Sequence, residues 1–315
     1  MKFLPDARLY HDIAYCLEFS KRFSPSRSRE RTIVHFYWHG PFGRKPAFAL
    51  KSFLATQDMD SCEAWLWLDV AFRQEADNPH LAELAPWIVI REYDPHQEAR
   101  GTPFEADPAL TLPDDPRVRS DAFRLIALYR YGGLYVDIDT LFLRDFQELI
   151  ASPLCDSPFV YRWSAHCAYF SNAIIYIPHS HPLAQQLMLQ CIRVGSCHSR
   201  IAFRHQDHAD KDLLELPCGL FDPLWPHFDG QDRYARAPFK KFQDFFRPFG
   251  LFHRPNPAIR GLEDFFPGAF AYQWHGCWSM AEHQNSYFGL FERQVEERFR
   301  QRRERLSRVQ TCGTA

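Results

Sequence analysis

The 315-residue chain predicts an α/β domain on a mostly parallel central sheet with helical additions. Two observations carry that expectation. Short β-branched and aromatic runs alternate with helical patterns through the first half of the chain. One helix, over residues 116–131, has clear start and stop residues and delivers the chain directly onto a strand pattern. The apolar share of 46% with 24% charged residues is ordinary for a globular protein, and this length buries a sizeable core.

In chain order, residues 1–31 read as a peripheral segment running into the polar SPSRSRERT stretch, a linker or solvated loop. Thr32 to Trp38 (TIVHFYW), stopped by His39-Gly40-Pro41, is a first strand. Pro46 to Gln57 reads as a helix with Phe48, Leu50, Phe53 and Leu54 apolar. Ala64 to Val70 is a second strand ending near Asp69, and Trp87 to Ile90 a short third. Asp115 can cap a helix beginning at Pro116, where the missing N–H costs nothing. Val118, Ala122, Leu125, Ile126 and Tyr129 fall at helical spacing, and Gly132-Gly133 supply the left-handed residues that end it.

The stretch Leu134 to Asp139 then reads as a strand. A period of two sends Leu134, Val136 and Ile138 into a core and puts Tyr135, Asp137 and Asp139 on the opposite face. Farther on, Phe159 to Trp163 and Ala173 to Ile177 are strand candidates and His181 to Val194 a helix. Residues 198–270 are Phe- and Pro-rich without a period. The C-terminal stretch is helical, with a stripe of Phe288, Phe291, Val295, Phe299 and Leu306 and seven Arg against four Glu between 292 and 308. The organisation expected is 1–31 peripheral, 32–285 one domain, and 286–315 a basic amphipathic helix and tail.

Composition narrows the function. A net charge of −2 disfavours a nucleic-acid partner. Nine cysteines with no Cys-x-x-Cys pair suit buried small hydrophobes in a reducing compartment. No apolar run approaches the roughly 18 residues of a membrane span. The N-terminus carries a Pro and two Asp where a signal peptide would be apolar, so a cytoplasmic location is expected. His198, His205, Asp207, His208 and Asp210 fit no metal-site spacing and read as a polar loop.

The pair Asp137 and Asp139 carries the chemistry. Two adjacent carboxylates repel when both are ionised, and a hard divalent cation removes that cost while holding a diphosphate. A bare Asp-x-Asp is common on solvated turns, so its flanks decide. Those flanks, Ser120-Asp121-Ala122-Phe123-Arg124 and Tyr131-Gly132-Gly133-Leu134-Tyr135, resemble the glycosyltransferases whose sugar-binding region contains a DXD motif. These are relatives of yeast mannosyltransferases and the large clostridial glucosylating toxins. The similarity takes in Ile33 to Gly40, Lys51 to Leu54 and Trp67-Leu68-Asp69, and so covers about residues 32–145.

The resemblance implies a GT-A fold, a nucleotide-sugar donor (UDP-sugar favoured, GDP-mannose the alternative) and Mn²⁺ or Mg²⁺. By position it implies that Asp139 is a direct metal ligand and that Asp137 contacts the sugar or ribose and the metal shell. Asp121 and Arg124 would bind the donor sugar and diphosphate, with Tyr135 touching the same groups and Trp38 stacking on the base. Near the C-terminus, His275 would be a third metal ligand and Trp278 a lid residue, although Cys277 stands where Ser is usual. Asn172 would lie near the acceptor face, and Asp69 either near the ribose or in a strand-ending turn.

The implied reaction is transfer to a glycan or lipid-linked glycan hydroxyl with retention, Arg124 stabilising the growing charge. A metal-dependent phosphotransferase or nucleotidyltransferase groups carboxylates in the same way, and a non-catalytic sugar-binding protein is a third reading. The basic C-terminal helix fits either a docked helix or a peripheral membrane contact.

Overall fold

The computed structural model describes residues 2–26, 31–71, 77–111, 114–162, 170–202, 213–228 and 237–312. Its ten strands are β1 (Lys2–Phe3), β2 (Thr32–Trp38), β3 (Cys62–Asp69), β4 (Val89–Tyr93), β5 (Gly133–Val136), β6 (Thr140–Phe142), β7 (Phe159–Arg162), β8 (Phe170–Ile177), β9 (Leu214–Leu216) and β10 (Ala271–Gln273). Eight form one sheet in the order β1-β9-β7-β8-β5-β2-β3-β4. Only β8 runs against the rest, pairing antiparallel with both β5 and β7. The mostly parallel α/β class expected from the sequence is what the structure has.

Alternation along the strands divides two apolar layers. Val34 and Phe36 of β2 and Leu134 and Val136 of β5 enter one, with the Arg44–Thr56 and Tyr287–Cys312 helices. Tyr37 and Tyr135 enter the other, with the Pro116–Tyr131 and Pro182–Val194 helices. Helices on both faces make the sandwich that a parallel sheet needs. Asp115 caps the 116–131 helix through its bond from the Arg117 N–H, as the sequence implies. Val118 departs from expectation: it is solvent-exposed in the first turn, among the described residues.

Of residues 1–31, read as peripheral, described ones reach the sheet. β1 pairs parallel with β9, and the Ile13–Ser20 helix buries Ile13, Cys16 and Leu17. A two-residue strand leaves no periodicity to read. From 213 onward, where the sequence shows no period, described residues form short 3₁₀ turns whose rings act as single knobs. Phe245 stacks on Trp274 at 6.2 Å, and Phe265 sits 4.6 Å from Phe291.

The C-terminal helix docks on the domain through Phe288, Phe291, Val295 and Phe299; the side chain of Leu306 lies outside the described residues. Several of its charges are spent locally. Arg298 pairs with Glu263, Arg300 with Glu297 and Glu304, Arg303 with Glu83, and Arg302 donates to the Leu54 and Gln57 carbonyls. These pairings favour a docked helix over a lipid-facing one. Among the described residues no helix is long and apolar enough to cross a membrane. Among the described residues, Cys16, Cys62, Cys155, Cys191, Cys197, Cys218 and Cys277 are buried.

One buried histidine locks the turn that leads to the aspartates. Trp67 can only donate, so His35 Nδ1 accepts its indole N–H at 3.2 Å, and Nε2–H donates to the Gly132 carbonyl at 2.9 Å. Burial pushes the His35 pKa down to about 4. As pH falls below the ordinary 6.5 the unfolded chain takes up this proton first, so its stability contribution is full above that value and lost towards 4. Between about pH 7.5 and about pH 5 folding should weaken by about 2 kcal/mol from this group. Denaturant titrations at the two pH values test it: His35→Gln should show a shallower fall, and equal falls in both proteins would refute the assignment.

Candidate active site

β5 ends at Val136, so the two aspartates sit on the turn into β6, not on the strand itself. The expected alternation nevertheless persists through it. Ile138 is buried with Leu134 and Val136, while the Tyr135 hydroxyl donates to Asp137 Oδ1 at 2.6 Å on the other face. The Asp137 N–H donates to the Ala173 carbonyl at 2.8 Å, which ties the turn to β8.

Arg124 is the hub. It is buried on the 116–131 helix, one turn after Asp121, so the two side chains meet at 3.1 Å. Its guanidinium also lies 3.3 Å from Asp137 Oδ1, donates to the Asn172 carbonyl at 2.6 Å and to Ser120 Oγ at 2.8 Å, and stands over the Tyr135 ring at 4.5 Å. Burial opposes its charge, but Asp137, Tyr135 and Asp121 outweigh that and hold it cationic. Asp121, also buried, is pushed above the ordinary carboxylate value by desolvation, against the pull of Arg124 and of the bond from Asn172 Nδ2 at 3.0 Å. Asp121, Arg124, Tyr135 and Asp137 therefore form one constellation. Asn172, expected near an acceptor, supports Asp121.

The second half of the site arrives through β10, which pairs antiparallel with β6. That register carries the Trp274 N–H to the Asp139 carbonyl at 3.0 Å and the Gly276 N–H to Asp139 Oδ2 at 2.6 Å. His275 and Gly276 both adopt positive φ, 45° and 62°, so the chain folds tightly over Asp139. The His275 ring turns aside: its Nε2 is 2.6 Å from Asp222 Oδ2. Burial opposes protonation of His275, yet Asp222 outweighs it and raises the pKa. The structure thus sets His275 beside Asp139 in the chain but commits its Nε2 elsewhere. Sequence reasoning missed Asp222, which lies in the stretch without periodicity and offers no local signal.

Trp38 and Trp278, far apart in sequence, meet edge-on with centroids 4.8 Å apart. The buried Lys45 ammonium fixes the Trp278 segment by donating to the carbonyls of Cys277, Trp278 and Met280 at 2.8, 2.8 and 2.6 Å. Lys45 was not foreseen, since a lysine near a helix start usually faces solvent. Asp69, at the end of β3, accepts from Tyr37 at 2.5 Å, from Arg119 at 2.7 Å and from the Ala71 N–H at 2.9 Å, so its carboxylate is consumed in a strand-ending clamp. Of the polar-loop group only His198 is among the described residues.

A family model matches the segment that holds the aspartates. Residues 54–155 match the family described as "Glycosyltransferase sugar-binding region containing DXD motif". That span holds Asp121, Arg124, Tyr135, Asp137 and Asp139 and leaves out Trp38, His275 and Trp278. No curated protein sequence matches the chain. Similar solved structures include the galactosyltransferase LgtC with donor and acceptor sugar analogues (12% identity, 85% of this chain and 95% of that one, TM-score 0.44). Mouse xyloside xylosyltransferase 1 is another (10%, 81% and 100%, TM-score 0.42). The glycosyltransferase GlyE of Streptococcus pneumoniae TIGR4 is a third (12%, TM-score 0.44); the match takes in 86% of this chain but only 60% of that one.

The donor set fits a divalent cation only in part. Burial, and then the charge of Asp137, pushes the Asp139 carboxyl up to about 6, a cost that a bound cation would remove. Among the described residues, however, no three His, Cys, Asp or Glu side chains cluster as a ready-made metal site. Two carboxylates completed by diphosphate and water oxygens is the arrangement hard cations adopt with phosphorylated substrates. Asp139 and Asp137 fit that role; His275 does not complete a protein cage.

Proposed function

We propose that this protein is a metal-dependent glycosyltransferase. It moves a hexosyl group from a nucleotide-sugar, UDP-sugar in preference to GDP-mannose, to a hydroxyl of a glycan or lipid-linked glycan in cytoplasmic polysaccharide synthesis. The observation that carries the reading is the single constellation of buried Asp121, Arg124 and Tyr135 with half-buried Asp137, close in the chain to Asp139. Residues 32–285 are the catalytic unit, with 1–31 and 286–315 as additions to it.

Asp139 and Asp137 would hold Mn²⁺ or Mg²⁺, whose chemistry there is to neutralise the diphosphate as a leaving group. Arg124, fixed by Asn172 and Ser120, presents a permanent positive charge where negative charge grows in the reaction. Asp121 accepts from donor-sugar hydroxyls, its position set by Asn172. Trp38 offers a face for the base, a contact worth about 1–3 kcal/mol, and Trp278 closes over the diphosphate. Retention follows the family resemblance, with same-face attack by the acceptor.

Incubation with UDP-sugars, GDP-mannose and nucleoside triphosphates, in Mn²⁺ or in chelator, tests this. Release of UDP from a UDP-sugar should fall at least about tenfold when the metal is removed. Consumption of a triphosphate alone would identify a phosphotransferase or nucleotidyltransferase instead. Sugar binding with no metal-dependent thermal shift by UDP would identify a non-catalytic protein.

A further inference from the structure

The apex of the 249–254 hairpin exposes the two most solvent-accessible large apolar residues among those described: Leu251 at 80% and Phe252 at 93%. Their exposure is built in. Gly250 and His253 close a two-residue turn, the Gly250 N–H donating to the His253 carbonyl at 2.8 Å and the His253 N–H to the Gly250 carbonyl at 3.3 Å. Phe249 stacks on His253 at 5.6 Å and meets Tyr287 edge-on at 5.0 Å. The Phe249 N–H donates to the Asn285 carbonyl at 2.7 Å, and Pro248 and Pro255 flank the turn. A stiff mount holds two apolar side chains out in water.

The sequence leading up to and through the turn is cationic, although Glu263 and Asp264 follow it and the whole chain is slightly acidic. Between residues 237 and 260 stand Lys240, Lys241, Arg247, Arg254 and Arg260, all exposed, against the single acid Asp244. Asp244 lies 3.8 Å from Arg247 and offsets only that one charge.

We propose that this hairpin is a wedge that docks the protein on an anionic lipid surface, Leu251 and Phe252 entering the headgroup–acyl boundary and the basic residues meeting the headgroups. A protein partner is disfavoured by area: two convex side chains fall far short of the roughly 800 Å² each partner gives to a stable interface. A lipid boundary needs no shape match, and apolar insertion and cation–headgroup attraction act together there. The inference stands apart from the glycosyltransferase reading and from the C-terminal helix, where Arg298, Arg300 and Arg303 pair within the protein.

The test sediments the full-length protein with vesicles of phosphatidylcholine, with and without phosphatidylglycerol. Binding is expected only to the anionic vesicles. Leu251→Ser/Phe252→Ser should weaken it about tenfold, and Lys240→Glu/Lys241→Glu by about twenty-fivefold or more, since each basic residue near an anionic surface adds about a fivefold gain. Unchanged thermal midpoints show that the variants fold; if the double serine variant does not, Phe252→Ser alone carries the same readout. Absence of binding to either vesicle, or equal binding by the serine variants, overturns the proposal. So does self-association of the parent protein that the serine variants abolish, which would make the apex a protein contact.

Discussion

Gly133→Ala is expected to destroy the fold. Gly133 opens β5 at φ +99°, where a side chain is strained, and an added Cβ would lie 2.2 Å from the Ile33 carbonyl oxygen. That oxygen belongs to β2, whose backbone cannot retreat, because β2 is paired with β3 from Thr32 to Trp38 on its other side. Either β5 parts from β2, losing the Val34–Leu134 and His35–Tyr135 pairings, or the 132–133 turn opens and frees the Gly132 carbonyl from His35. Backbone strain of about 1–3 kcal/mol plus the overlap gives a loss of about 3 kcal/mol or more, a large share of a domain's stability. Gly43→Ala is the control: nothing lies within 4 Å of its added Cβ and its φ is −113°. Urea midpoints decide the matter. A Gly133→Ala protein within about 1 kcal/mol of the parent would show that the turn can relax and that the glycine pair is not a steric requirement.

Why the first half of the chain was legible follows from the same residues. Where an element carries its own boundary chemistry, the sequence states it: Asp115-Pro116 and Gly132-Gly133 bracket the helix to the residue, and TIVHFYW is β2 without error. Alternation placed Tyr135 opposite Leu134 and Val136 because β5 is covered on both faces. What failed was non-local. β6 and β10 are three residues each and hold each other; neither has a period of its own. β1 and β9 share an edge in the same way. The knobs Phe245 and Phe265 fit between 3₁₀ turns, where neither a two- nor a 3.6-residue repeat can develop.

The site divides along the same line. Asp121, Arg124, Tyr135 and Asp137 are linked by a helix turn and a short strand, so local spacing brought them together. Trp38 and Trp278 do meet, 4.8 Å apart, where Lys45 fastens the carbonyls of Cys277, Trp278 and Met280. No sequence pattern announces a buried lysine serving backbone oxygens. His275 shows the limit of carrying a role by position. It lies on the turn over Asp139, where Asp222, from a part of the chain with no pattern, takes its Nε2.

Replacing Asp139 by Asn separates chemistry from architecture at the centre of the proposed site. The carboxylate accepts the Gly276 N–H through Oδ2 at 2.6 Å. An Asn side-chain oxygen can accept the same bond, and the backbone bond from Trp274 N–H to the residue-139 carbonyl is untouched. The fold over the turn should therefore survive. Repulsion from Asp137 disappears, so the metal-free variant should melt no lower than the parent. What is lost is a formal negative charge at the position where a divalent cation would sit, leaving Asp137, already engaged by Arg124 and Tyr135, as the remaining anionic ligand. Lewis-acid stabilisation of a leaving diphosphate is worth several kcal/mol, so donor turnover should fall by about a hundredfold or more. The thermal shift on adding Mn²⁺ with UDP should vanish with it. These readouts distinguish a ligand from a structural acid: a structural Asp139 would lower the metal-free melting point and leave the Mn²⁺ shift in place. Full transferase activity in Asp139→Asn would remove the pair of aspartates from the chemistry and return them to a solvated turn.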